Sequence, residues 1–346
     1  MTGLLPRLLR PEPAMNALRY ANAPGHVESY FIRANDPERR RALWLKVTIF
    51  APRVGAPVAQ TWLIWFDGED HRTLARKDTH PLALEGFAGV EESIAINVGT
   101  FAWSLGARGA AHGHVATDTG GVDFDLHWQT PATPVAGGLS LYPLRLLREG
   151  PLPRFKVNTP SPCLELRGTI RLADQEISLD GWTGSQGHNW GSEHYFQYGW
   201  GQCSFPATAN APAGFVEGGV GRVKLGPLVS PPLAVMVVRY GERELRFDTV
   251  LDLWRQEATF APDRLVLRLR NRAATVRLRL DASDRPMVQL GYPNPDGTLT
   301  YCLNSKLARV LLEVQPRGEA PFTLRSAHGG ALELLGRNLD PRFAVV

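Results

Sequence analysis

The densest concentration of chemistry-bearing side chains lies between Asp180 and Phe205. Trp182, His188, Asn189, Trp190, Glu193, His194, Tyr198, Trp200 and Gln202 all fall within that stretch. Three indoles and a phenol offer faces that can stabilise positive charge. His188, Glu193 and His194, with Asp180 behind them, are groups able to deliver a proton. Such a mixture of broad aromatic faces and a few polar groups suits an apolar ligand that needs a few placed hydrogen bonds. His188 and Glu193 are the expected catalytic pair. His188 is favoured, because a histidinium needs no burial to hold its proton whereas a neutral carboxylic acid needs an upward-shifted pKa. Trp182, Asn189, Trp190, Tyr198, Trp200 and Gln202 are expected to bind substrate. Gln202 would orient its polar end, since a carboxamide projected from an apolar strand must find a partner. Each residue also has a plainer reading. An indole can pack a barrel end, a histidine beside Asn and Trp can satisfy a structural hydrogen bond, and a turn glutamate is commonplace on a surface.

Strands must position these groups. In an extended chain Trp200, Gln202 and Ser204 point one way while Cys203 and Phe205 point the other. The same period of two recurs along the chain. Val276, Leu278 and Leu280 alternate with Arg277 and Arg279, and Leu265, Leu267 and Leu269 alternate with Arg264, Arg268 and Arg270, with an Asn271-Arg272 break between them that suits a hairpin. Further strands are expected over residues 43–50, 60–66, 93–97, 110–117, 122–129, 164–172, 176–179, 200–205, 214–224, 233–240, 243–247, 306–314, 322–326 and 332–335. The best helix candidate is residues 139–148, and Pro143 interrupts it. The fold class is therefore all-β, as antiparallel β-barrel or sandwich domains. A length of 346 residues makes two domains the expectation. Composition alone would divide them in the loop-rich stretch 131–162.

A formal net charge of +4 comes from scattered Lys and Arg with acidic neighbours, so nucleic acid is not an expected partner. Cys163, Cys203 and Cys302 show no CxxC spacing and read as thiols of a cytoplasmic protein, Cys203 as a small buried hydrophobe. His112-Gly113-His114 puts two imidazoles on one strand face but lacks an obvious third ligand, so no metal is expected. Leu4, Leu5, Leu8 and Leu9 are broken by Pro6 and Pro11, which argues against a signal peptide. No Walker loop, Rossmann fingerprint or G-x-S-x-G elbow is present.

The Asn189-Trp190-Gly191 step, then Trp200-Gly201-Gln202-Cys203 and the glycine-rich Gly218-Gly219-Val220-Gly221, resembles the corresponding run of tocopherol cyclases. More distantly it resembles AttH-like proteins and carotenoid 1,2-hydratases. Segments 241–247 and 302–314 follow in similar order, so the resemblance covers most of the second half. Gly187 stands where the hydratases place an acidic residue, and His188 occupies the lysine-like position of the cyclases. The resemblance implies two lipocalin-like β domains, residues 20–185 and 186–346, with the passage between them around Asp180 to Tyr198 and a hydrophobic site within or between them. It implies a cofactor-independent cyclase, hydratase (a lyase) or isomerase that protonates an alkene of a prenyl, polyene or related lipophilic molecule. The alternative is a non-catalytic binding protein that keeps the pocket without an effective acid. A lipophilic small molecule is the expected partner in either case, with peripheral membrane contact as a further expectation.

Overall fold

The computed structural model describes residues 14–90, 92–117, 120–208, 211–222, 224–225, 228–249, 252 and 256–346. The leucines before residue 14 lie outside them. Strand accounts for 65% of the structure and helix for 3%, which makes the chain all-β. The proposed helix at 139–148 resolves into the short strand Leu139–Ser140 and one turn of helix, Arg145–Glu149, that begins after Pro143.

Two large antiparallel sheets curl into half-barrels. The first runs Arg72–Pro81, Val58–Asp67, Arg41–Ala51, His26–Asn35, Trp182–Gly191, Phe155–Leu172, Gly120–Gln129, Arg108–Thr117, Phe101–Leu105, Ser93–Val98 and Phe87–Val90. The second runs Arg243–Phe247, Leu233–Tyr240, Gly214–Arg222, Gln197–Phe205, Phe322–Gly336, Leu299–Pro316, Ala274–Asp281, Arg264–Arg270 and Gln256–Ala261. The chain changes sheets between Gly191 and Gln197, so the strand Trp182–Gly191 runs across position 185.

Alternation explains where the cores sit. In Arg41–Ala51, Leu43, Leu45, Val47 and Ile49 fill the first half-barrel, while Trp44 turns outward to meet the second sheet. There it joins Trp62, Ile64 and Phe66 against Leu290, Tyr292, Cys302 and Leu307. The second half-barrel has its own core of aliphatic residues such as Leu265, Leu267, Leu278 and Leu280. Full burial of each such side chain contributes about 1.5–3 kcal/mol, so the seam between the halves is held by the same force as the halves themselves. Gly201 is part of that packing. A Cβ there would lie 2.5 Å from Leu280 Cδ1, so the glycine lets the strand Gln197–Phe205 sit close on the second core.

Candidate functional site

Between the two half-barrels lies a partly open cavity of about 400 Å³. The first sheet contributes Phe31, Phe155, Val157 and Asn189, and the second contributes Tyr198, Trp200, Leu233 and Val235. Strand alternation accounts for the second set: Trp200 and Gln202 share one face of Gln197–Phe205, as the sequence predicts, and Tyr198 joins them there. The glycine-rich strand makes room. Gly219 and Gly221 pair with Trp200 and Tyr198 in the ladder and line the cavity without side chains.

The walls are overwhelmingly apolar, so the few polar groups that reach them define the chemistry. Tyr198 donates its hydroxyl proton to Glu333 Oε2 at 3.0 Å, and Lys306 Nζ donates to Glu333 Oε1 at 2.7 Å. Burial, the largest influence, would raise the Glu333 carboxyl, but Lys306, the nearby Lys46 charge and the Tyr198 hydrogen bond together outweigh it and hold the group below the usual carboxylate range. Burial, reinforced by Cys302 and Glu333, pushes the Tyr198 phenol well up, so it stays a neutral donor. Lys306 is lowered by burial and lies over the indole rings of Trp44 at 4.5 Å and Trp200 at 5.8 Å. Beyond it Lys46, lowered by burial to about 8, faces the Tyr292 ring at 4.3 Å. Tyr142 and Tyr195 also line the cavity and hydrogen-bond each other through their hydroxyls.

Gln202 lies deeper than this wall. Its Oε1 accepts from Arg33 Nε at 2.9 Å and Ser185 Oγ at 2.6 Å, while its Nε2 donates to Glu217 Oε2 at 3.2 Å. Both ends of the carboxamide are therefore engaged within the protein. Glu217 also accepts from Thr159 at 2.7 Å and from Trp200 Nε1 at 3.1 Å, which fixes the indole whose face meets the cavity. Burial raises the Glu217 carboxyl against those hydrogen bonds and the nearby Arg33 charge.

His188 does not line the cavity. It is fully buried on the opposite face of Trp182–Gly191, where Nε2 meets Glu28 Oε1 at 2.9 Å, Nδ1 meets the Met15 carbonyl at 2.6 Å, and the ring stacks on Tyr30 at 4.2 Å. Burial would raise the Glu28 carboxyl, but hydrogen bonds and charge from His188 and His26 hold it at about 2. Trp190 lies on the same face beneath the Arg19 guanidinium at 4.5 Å, and Trp182 stacks on Trp65 at 5.8 Å in the first core. Glu193 sits in the connection between the sheets, paired with Arg154 at 3.0 Å. His194 is lowered to about 3 by burial, with Lys46 adding to the effect, and stacks on Tyr292. Asp180 Oδ1 accepts from the Gly168 amide in a turn. The site residues read from the sequence thus divide: Asn189, Tyr198 and Trp200 meet at the cavity, while Trp182 packs in the core of the first half-barrel and His188 and Trp190 lie beside Glu28, Tyr30 and Arg19.

Glu333 and Lys306 were not singled out in the sequence. A signal existed for Glu333, the one charge between Ala331-Leu332 and Leu334-Leu335, whereas Lys306 follows Asn304 and Ser305 and shares its strand with Arg309 and Glu313. His112 and His114 are exposed, His114 pairs with Asp123 at 2.8 Å, and no group of three metal-ligating side chains assembles among the described residues. Cys203 is buried and its thiol is pushed up to about 12, as a packing residue would be.

An AttH-type protein of Nitrosomonas europaea superposes with a TM-score of 0.56 at 11% identity, covering 95% of this chain and 99% of its own. The chain has the AttH-type fold. Kievitone hydratase of Nectria haematococca aligns with a TM-score of 0.54 at 8% identity over 94% of this chain and 97% of its own, and CghA with 0.54 at 11% identity over 96% of each. The two-domain, lipocalin-like architecture implied by the sequence resemblance is thus supported across nearly the whole length. In sequence, an uncharacterized protein of Mycobacterium tuberculosis is 24% identical over 324 residues, 91% of each chain. No family model matches the chain.

Proposed function

We propose that this protein is a cofactor-independent cyclase, hydratase or isomerase acting on a lipophilic small molecule in the cavity between its half-barrels. The observation that carries the reading is a hydrogen-bonded phenol and carboxylate, Tyr198 and Glu333, on the wall of a mostly apolar cavity with the Trp200 ring beside them. Names among the structural neighbours lend support, since one is a hydratase and CghA has been solved with Sch210972. The Tyr198–Glu333–Lys306 arrangement suits a proton shuttle in which Tyr198 turns its hydroxyl from Glu333 to the substrate and gives up its proton there, while the ionised Glu333 takes a proton from the substrate and passes it back to Tyr198 through their hydrogen bond. Such a pair is a weak acid for an isolated alkene. It fits better a prenyl or polyene substrate whose double bond is conjugated to an oxygen function, where Tyr198 can hydrogen-bond that oxygen and the Trp200 face can stabilise developing positive charge.

Incubation with prenyl quinones and polyene ketones in deuterated water tests the proposal. Deuterium should appear on carbon in a rearranged or hydrated product, and Glu333→Gln should slow labelling by about 100-fold or more. His188→Ala, if folded, should label at close to the wild-type rate. Tight retention of a lipophile with no labelled product from any substrate would leave a carrier instead.

A further inference from the structure

Nine large hydrophobic side chains are exposed among the described residues, and five of them belong to two segments that flank the cavity. Leu144 is 58% exposed, Leu146 45% and Leu152 45% in the segment that carries the short helix. Leu228, at 71%, and Val229, at 41%, stand on the other side, just before the cavity residues Ser230 and Leu233. Leu152 both lines the cavity and reaches solvent, so the cavity opens where these side chains protrude. Exposed prolines 151, 231 and 232 extend both lips. Apolar side chains gathered at one rim, unlike singly scattered ones, mark an interaction site.

The charge around the lips is mostly basic. Among the described side chains of segments 142–154 and 221–233, Arg145, Arg148, Arg154 and Arg222 face a single acid, Glu149, with Glu149 engaged by Arg19 at 3.0 Å and Arg154 by Glu193 at 3.0 Å. Apolar side chains that enter the acyl boundary and basic side chains that meet anionic headgroups are the two components of reversible membrane attachment. We infer that the two lips seat the cavity mouth on a bilayer carrying anionic headgroups, so that a lipophile passes from membrane to cavity without crossing water. This inference rests on reading the cavity as the site for a lipophilic molecule.

Co-sedimentation of the full chain with phosphatidylcholine vesicles, alone or with about 30 mol% phosphatidylglycerol, tests it. The protein should partition onto the anionic vesicles, and raised salt should weaken the binding. Leu144→Glu/Leu146→Glu and Leu228→Glu/Val229→Glu should each lower the bound fraction by about tenfold or more. None of these four residues lines the cavity, so both variants should bind the apolar fluorophore 1-aminoanthracene as the wild type does in the absence of vesicles. Absence of binding to either vesicle, or equal binding by wild type and both variants, would overturn the inference. So would wild-type self-association without vesicle binding that the substitutions abolish, because the lips would then join two copies of the chain. Vesicle binding by a wild type that fails to bind the fluorophore would strike the cavity reading and leave the docking surface standing.

Discussion

Lys306→Met should destabilise the protein by about 3–5 kcal/mol, because it leaves the Glu333 carboxylate buried between the sheets without the ammonium that holds it ionised. Removing both charges should cost less than removing one. In Lys306→Met/Glu333→Leu the desolvation penalty of the pair disappears, and stability should return by about 2 kcal/mol or more relative to the single variant. Recovery should stay incomplete, since Tyr198 loses its acceptor and Lys46 loses a nearby counter-charge. Urea unfolding read by tryptophan fluorescence gives these differences directly. Simple addition of the two single-variant costs would mean that Lys306 and Glu333 do not depend on each other.

His188→Ala should be similarly costly, at about 3–5 kcal/mol near neutral pH, because it strips the buried Glu28 carboxylate of a principal partner. The sign of the pH dependence follows from Glu28. Its folded pKa of about 2 lies below the ordinary 4.5, so its contribution is present above about pH 4.5 and is lost as the pH falls toward 2. Wild-type stability should therefore fall across that window. The difference between wild type and His188→Ala should shrink as the pH falls, while other carboxylates titrate alike in both proteins. A difference that stays constant from pH 6 to 2 would show that His188 does not stabilise the ionised Glu28.

The sequence exposes the fold wherever one strand face is wet. Residues 264–280 alternate leucine or valine with arginine, and they form the hairpin of Arg264–Arg270 and Ala274–Asp281 as expected. His26–Asn35 escaped this reading because nearly every position on it is buried. Tyr30, Ile32 and Ala34 fill the first core, while Arg33 and Asn35 turn to the second half of the chain, where they meet Gln202 and the carbonyls of Lys306 and Gly329. Polar side chains on such a strand look like a loop until a second sheet supplies their partners.

The same geometry explains how the candidate site was half legible. His188 and Asn189 are neighbours in sequence, yet the period of two sends them to opposite faces, so a cluster along the chain is not a cluster in space. Tyr198 and Trp200, two residues apart, share a face and do meet at the cavity. Glu333 joins them from a strand more than a hundred residues away, because Phe322–Gly336 pairs with Gln197–Phe205 and places Glu333 opposite Trp200. Only the strand order, which the sequence does not display, brings that carboxylate to the indole.

The central claim is that the lipophile binds between the half-barrels, against Trp200, and not inside the first one beside His188. A crystal structure of the protein soaked with 1-aminoanthracene tests it most directly. Density for the probe should lie against Trp200, Val235 and Phe155, within reach of Tyr198 and Glu333. Density enclosed in the first half-barrel next to His188 and Trp190, with the cavity between the sheets free of probe, would contradict the account.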